Sequence, residues 1–175
     1  MRIDPKRIKA IQKINHPRNI KELQSFTGRI NFLRRFIPNL AELLRNITNM
    51  LKLDSKIRQN LEARQSFDQV KQALTKALVL ISPNFTKDFI IFSFASKHTV
   101  VAVLLQKNAD GYEQPIALFS KALMVVSLKY NIMEKQDFTL IKAIKDFRVY
   151  ILHSHIISYV PSVVFKDILT HNGLY

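Results

Sequence analysis

The stretch FIIFSFASKHTVVAVLLQKNADGYEQPIALFSKAL, residues 89–123, decides the fold. It holds short apolar runs at 89–94, 100–105 and 115–120, rich in β-branched and aromatic residues, and these read as strands. Asn108-Ala109-Asp110-Gly111 separates the second and third runs and marks a tight turn, the glycine supplying positive φ. Three strands so connected make an antiparallel meander. Downstream, Met133, Leu140, Ile144, Phe147 and Ile151 share one stripe of a helix over 132–152. A fourth strand at 156–160 and a short helical stretch at 164–169 complete the order β-β-β-α-β-α. A meander followed by a crossover helix and a parallel strand makes an α+β unit with a mixed sheet.

Upstream the pattern changes to polar and helical. Asn19 can cap a helix, with Glu22 at the capping-box offset. Leu23, Phe26, Ile30, Leu33 and Ile37 then fall within an arc of about 80° at 100° per residue, which predicts one amphipathic helix ending at Pro38. A second helix is expected from Asn60 to Leu78, with Leu61, Phe67, Val70, Leu74 and Leu78 as its stripe. Ser82-Pro83-Asn84 marks the internal boundary, giving a helical segment over 1–82 and an α+β unit over 83–175.

The chain has 175 residues, 47% of them apolar, and a formal net charge of +14. That length buries about two thirds of the unfolded surface, so a real core is available. The absence of cysteine excludes a disulfide scaffold, a cysteine metal site and a thiol nucleophile. No apolar run reaches the ~18 residues of a membrane span. The charge points to a polyanionic partner, and it is uneven. Residues 1–75 hold 16 Lys+Arg against 6 Asp+Glu, and residues 76–175 hold 11 against 7. Arg18, Lys21, Arg29, Arg34 and Arg35 cluster on and around the first helix and are the candidate phosphate contacts; a solvated face over a buried stripe explains any one of them alone. The first 21 residues carry seven Lys+Arg and one Asp, as a mitochondrial presequence can; their lack of serine and the interruptions at Pro5 and Pro17 favour a basic helical segment. His153 and His155 alternate without a nearby third ligand and read as a surface pair, so no metal site is expected from them.

Several segments resemble the carboxy-terminal part of reverse transcriptase from gypsy-type LTR retrotransposons. IDPKRIKAIQKINHPRNIKELQSFTGRINFLRRFIPNLAELL, residues 3–44, resembles the thumb, most specifically from Asn19 to Pro38. ARQSFDQVKQALTKALVLISPNF, residues 63–85, resembles the connection. PIALFSKAL, KYNIMEK and FRVYIL resemble the ribonuclease H domain. The resemblance implies an α+β chain: a helical thumb and connection, then a ribonuclease H-like domain with three-stranded meander, helix, parallel strand and short helix, truncated near its fifth strand. It also implies that the chain starts after the palm, so no polymerase activity is expected.

Ribonuclease H chemistry needs carboxylates that hold two Mg²⁺ about 4 Å apart. The family's first aspartate lies in a Thr-Asp-Ala-Ser pattern, where this chain reads Ser93-Phe94-Ala95-Ser96. Its glutamate lies early in the long helix, where this chain has Gln136, with Glu134 and Asp137 beside it. Its third carboxylate ends the fourth strand, where this chain has Val160. Two glycines of the second strand become Thr99 and Val101. Phe94, Gln136 and Val160 together predict a degenerate site packed like core, with no metal, no cofactor and no ribonuclease activity. Phe94 and Phe119 are expected in the core rather than as base-stacking platforms.

These readings lead to a non-catalytic binder of RNA–DNA hybrid or duplex without sequence preference. The alternative is a domesticated protein-interaction or effector protein, with a partner strand added at the sheet edge left by 156–160. A decaying reading frame fits the same residues. Location is expected to be intracellular, nuclear or cytoplasmic, or mitochondrial if the basic start targets the chain.

Overall fold

The structure, a computed structural model, describes residues 1–52 and 61–159. The expected helical stretch at 164–169, Val160 and the start of the second expected helix at Asn60 lie outside the described residues.

Helix α1 (Pro5–Gln12) opens the chain. Pro5 does not interrupt the basic segment but starts it. It occupies the first turn, where a missing N–H costs nothing, and the Asp4 carboxylate accepts from Lys6 N at 2.9 Å. Ile3 and Ile11 are buried, so this basic start is built into the core. Helix α2 (Ile20–Asn31) is capped as expected, Asn19 Oδ1 accepting from Glu22 N at 2.9 Å. Glu22 reaches back to Arg18 N, at 2.8 Å, one residue before the usual partner.

The expected run of α2 to Pro38 is corrected. The α-helix stops at Asn31, a 3₁₀ turn covers Arg34–Phe36, and Ile37 is extended at φ −113° and ψ 113°. Proline after Ile37 disfavours helical backbone at that residue, and the tighter turn absorbs the change. Leu23, Phe26, Ile30, Leu33 and Ile37 are nevertheless all buried. Helices α3 (Leu40–Leu43) and α4 (Arg45–Lys52), which periodicity did not reveal, follow.

Helix α5 (Leu61–Thr75) ends earlier than the expected Leu78. The Leu78 amide instead donates to Phe36 O at 2.9 Å, and Leu80 N donates to Met1 O at 2.8 Å. Phe67, Val70 and Leu74 face inward, and the Phe67 ring lies 4.3 Å from that of Phe26. These side chains, with Ile30, Ile37 and Ile47, form the first apolar core.

The second core lies between one helix and one face of a sheet. Strands β1 (Phe89–Ala95), β2 (Thr99–Lys107) and β3 (Glu113–Ala122) form the expected antiparallel meander. Gly111 has φ 84° in the turn, and Asn108 Oδ1 accepts from Asp110 N and Tyr112 N at 3.0 and 2.9 Å. Helices α6 (Val125–Leu128) and α7 (Ile132–Ile151) lead to β4 (Ile156–Tyr159), which lies parallel to β1. The sheet order is β3-β2-β1-β4. A full capping box starts α7: Glu134 N donates to Asn131 Oδ1 at 2.9 Å, and Asn131 N to Glu134 Oε2 at 2.8 Å. Its buried residues are Lys135, whose Nζ donates to Lys97 O at 3.4 Å, and Gln136, Thr139, Leu140, Ala143, Phe147 and Ile151. Ile144, expected on that face, is 41% exposed, because the contact with the sheet follows Leu140, Ala143 and Phe147 instead.

The two cores join through β3. Arg34 donates through Nη2 to the Ser120 carbonyl, Ala41 N donates to Ser120 Oγ at 3.2 Å, and Ile81 N donates to Pro115 O at 2.9 Å.

Candidate functional site

The first place to examine is where β1 ends beside α7. Successive strand residues point to opposite faces. Phe89, Ile91, Ser93 and Ala95 point toward α7, and Phe92 and Phe94 point away. Phe94 is 56% exposed, which overturns its expected core position; Phe119 is buried as expected. The run Phe89–Phe94 is apolar except for Ser93, whose polarity would turn Phe92 and Phe94 inward; packing against α7 buries Ser93 instead and sets the face.

Gln136 does face the sheet. It is 6% exposed, and its Oε1 accepts from Ala95 N at 3.1 Å. That bond gives the amide a structural task, since an unpaired N–H there would be buried. Gln136 therefore reaches the residue next to Phe94, while the Phe94 side chain lies on the other face. Thr99 is buried, with its Oγ1 2.9 Å from Ser96 Oγ, a contact that ties the β1–β2 turn together. Val101 pairs with Phe94 and lines the outer face beside it.

The two carboxylates beside Gln136 sit in different surroundings. Glu134 is held in the α7 cap. Asp137 Oδ1 is buried without a hydrogen-bond partner among the described residues. Burial, and secondarily the Glu134 charge, pushes the Asp137 carboxyl above the usual range. Ser93 Oγ and Ser158 Oγ, on the same face of the sheet, are likewise buried and unpartnered. Among the described residues, no three His, Asp or Glu side chains are grouped to hold a metal ion. The donors present do not fit a pair of divalent cations, which want several charged oxygens.

The second place is the surface of the N-terminal helices. A groove of about 500 Å³ runs between α1 and α2, lined by Arg7, Ala10, Ser25, Gly28, Arg29 and Phe32. A Cβ added at Gly28 would meet nothing within 4 Å, so the groove is open there. Phe32 is 61% exposed, and the Arg7 guanidinium lies 4.9 Å from its ring centre. Arg18 and Arg29 share an adjoining groove with His16 and Glu22, and Arg35 lines another with Arg2, Arg7 and Phe32. Arg7, Arg18, Arg29 and Arg35 form no ion pair among the described residues. Lys21 is exposed on α2 but lines none of these grooves. Arg34 is turned instead to the Ser120 carbonyl. The surface histidines also separate: His155 Nδ1 meets Asp88 Oδ1 at 3.2 Å, while His153 adopts φ 65° in the preceding turn.

A family model for the RNase H-like domain found in reverse transcriptase matches residues 60–158. The chain belongs to that family. It is 32% identical over 144 residues to the Tf2-3 transposon polyprotein of Schizosaccharomyces pombe, covering 82% of this chain and 11% of the polyprotein. The chain thus spans about a tenth of the length of its curated relatives. Its fold matches a foamy viral protease–reverse transcriptase solved with double-stranded DNA, at TM-score 0.85 and 25% identity, over 97% of this chain and 30% of that one. The foamy viral enzyme solved with an RNA/DNA hybrid gives TM-score 0.82 and 26% identity, over 97% and 23%. The retroelement origin expected from the thumb, connection and ribonuclease H segments is therefore shown, and so is the α+β fold.

Within this RNase H-like chain the predicted residues fall into separate places. Arg18, Arg29 and Arg35 line neighbouring grooves; Arg34 and Lys21 stand apart; Phe94 and Gln136 occupy opposite faces of β1. Sequence reasoning missed Arg7 and Phe32. A signal existed: Phe32 lies far off the apolar stripe of α2, four residues after Gly28, and an aromatic there has no core to enter. Among the described residues no helix is long and apolar enough to cross a membrane.

Proposed function

We propose that this reverse-transcriptase-derived protein binds nucleic-acid duplexes, RNA–DNA hybrid or DNA, without cleaving them. The groove between α1 and α2 carries the reading. Unpaired guanidinium groups at its rim suit phosphates, and an open glycine floor with an exposed ring admits close approach of a sugar–phosphate edge. The structurally similar foamy viral enzymes, solved with double-stranded DNA and with hybrid, support the same class of ligand. A contact set of this kind reads backbone and shape, so binding is insensitive to sequence and falls steeply with salt.

Absence of cleavage is proposed on the β1–α7 geometry. Phe94 offers no ligand, Gln136 is engaged with Ala95 N–H, and Asp137 has an environment that disfavours its charge. The test is anisotropy titration of a labelled RNA–DNA hybrid at several salt concentrations, paired with a cleavage assay in Mg²⁺ and Mn²⁺. The double variant Arg7→Glu/Arg29→Glu should bind about tenfold or more weakly at low salt and show a shallower salt dependence. Unchanged hybrid binding by that variant refutes the groove. Cleavage that disappears in Gln136→Ala refutes the non-catalytic reading.

A further inference from the structure

The solvent side of α7 combines aliphatic side chains and cations in one row. Ile141, Val149 and Leu152 are each more than half exposed, and Ile144 is partly open beside them. At 100° per residue Ile141, Lys145, Arg148 and Leu152 fall within an arc of about 60°, on the side away from Leu140, Ala143 and Phe147. At 1.5 Å per residue the row is about 16 Å long. Lys145 and Arg148 are exposed and form no ion pair among the described residues. Lys142 borders the row, its Nζ 5.2 Å from the Phe138 ring centre. Residues 141–152 hold these three cations against one carboxylate, Asp146, which lies off the row.

The order along the row identifies the occupant. Isoleucine and leucine stand at its ends with two unpaired cations between them, at the spacing i, i+4, i+7 and i+11. A matching surface must set carboxylates opposite the middle and apolar groups opposite both ends. A second helix does so, because its own side chains repeat with that period and pack as a row against a row. Phosphates alone would engage the cations and leave the exposed aliphatic side chains in water. A bilayer takes apolar groups at greater depth than charges, whereas here Lys145 and Arg148 are longer than the Ile141 and Leu152 that flank them. A second copy of the same face would set cation against cation, and the whole chain carries +14.

We propose that the exposed face of α7 docks an acidic amphipathic helix of a partner protein, with carboxylates on Lys145 and Arg148 and apolar side chains over Ile141 and Leu152. This goes beyond duplex binding and does not rest on the α1–α2 groove, since it uses another element and another class of ligand.

The test uses the full chain and two labelled synthetic peptides of about 18 residues, long enough to hold a helix. One carries Leu, Glu, Glu and Leu at i, i+4, i+7 and i+11; the other carries Lys in place of both Glu. Titration should give the Glu peptide a Kd of about 100 μM or tighter, and the Lys peptide no binding in that range. Lys145→Glu/Arg148→Glu should weaken the Glu peptide about tenfold or more and take up the Lys peptide instead. Ile141→Ser/Leu152→Ser should weaken the Glu peptide about tenfold while the melting temperature stays the same. Hybrid affinity should not change in the Ile141→Ser/Leu152→Ser variant. Absence of Glu-peptide binding, or equal binding before and after charge reversal, overturns the proposal. So does binding to phosphatidylserine vesicles, self-association, or hybrid binding that disappears in Lys145→Glu/Arg148→Glu, because a membrane, a second copy or a duplex would then hold this face. If hybrid binding proves absent while the peptide results hold, the groove reading fails and this one stands.

Discussion

The two faces of the four-stranded sheet are built from similar residues and have opposite fates. The inner face carries Phe89, Ile91, Ala95, Val100 and Leu104, all closed under α7. The outer face carries Phe92, Phe94 and Tyr159, which stay open beside the depression that Pro38 borders. Composition does not separate the faces; the helix does. Polar groups follow the same division. On the inner face they are consumed by the fold, as Gln136 is by Ala95 N–H, or stranded, as Ser93 and Asp137 are. In the α1–α2 groove, away from the sheet, Arg7 and Arg29 remain without an ion pair among the described residues.

Substitutions on the two faces measure how deep this difference runs. The largest effect belongs to Phe147→Ala on α7. Phe147 is 1% exposed and meets Phe119 edge-on at 6.5 Å, so truncation should cost about 3–5 kcal/mol in urea unfolding. A loss below 1 kcal/mol would mean that the inner face is not packed as described. Next is Gln136→Leu. It fills similar space but leaves the Ala95 N–H without its acceptor, and should cost about 1–3 kcal/mol. Wild-type stability in that variant would show that the amide has no structural task.

Asp137→Asn should act in the other direction, and more weakly. The folded state holds the Asp137 carboxyl above its usual range through burial. The unfolded chain therefore releases that proton first, and stability falls as pH rises from the usual carboxylate range through the raised value. Asparagine removes the penalty, so the variant should melt higher than wild type at neutral pH. The two should melt alike below the carboxylate range. Thermal melts across pH read this directly, and a gain that persists in acid would assign the effect to something other than charge. The smallest effect is expected on the outer face. Phe94→Leu should change stability by no more than about 0.5 kcal/mol, the usual range for surface positions. A large loss there would place Phe94 in the core after all, as its sequence context first suggested.

Much of the fold was legible because its signals are local. Asn19 with Glu22 and Gly111 in its turn each act within four residues, and the strand runs are short. The break in α2 was half legible: Pro38 announced an end, but the retreat of the α-helix to Asn31 follows from how the next segment turns into α3. The ends of α5 and the direction of Arg34 were not legible. Leu78 leaves its helix to meet Phe36, forty-two residues earlier, and Arg34 meets Ser120, eighty-six residues later. Partners at that distance leave no periodic trace.

By itself the sequence determined the element order of the sheet and α7, the Asn19 cap, the Gly111 turn, the basic start and the ancestry. Each is a matter of residue identity or of neighbours a few positions apart. Tertiary structure alone decided which face of β1 meets α7, and so whether Phe94 is buried. It also decided which arginines remain free, and that Arg7 and Phe32 border one groove. In a strand as apolar as β1 one serine does not outweigh the packing of either phase, and a surface arginine is equally soluble wherever it points. Only the packing of elements distant in the chain breaks those ties.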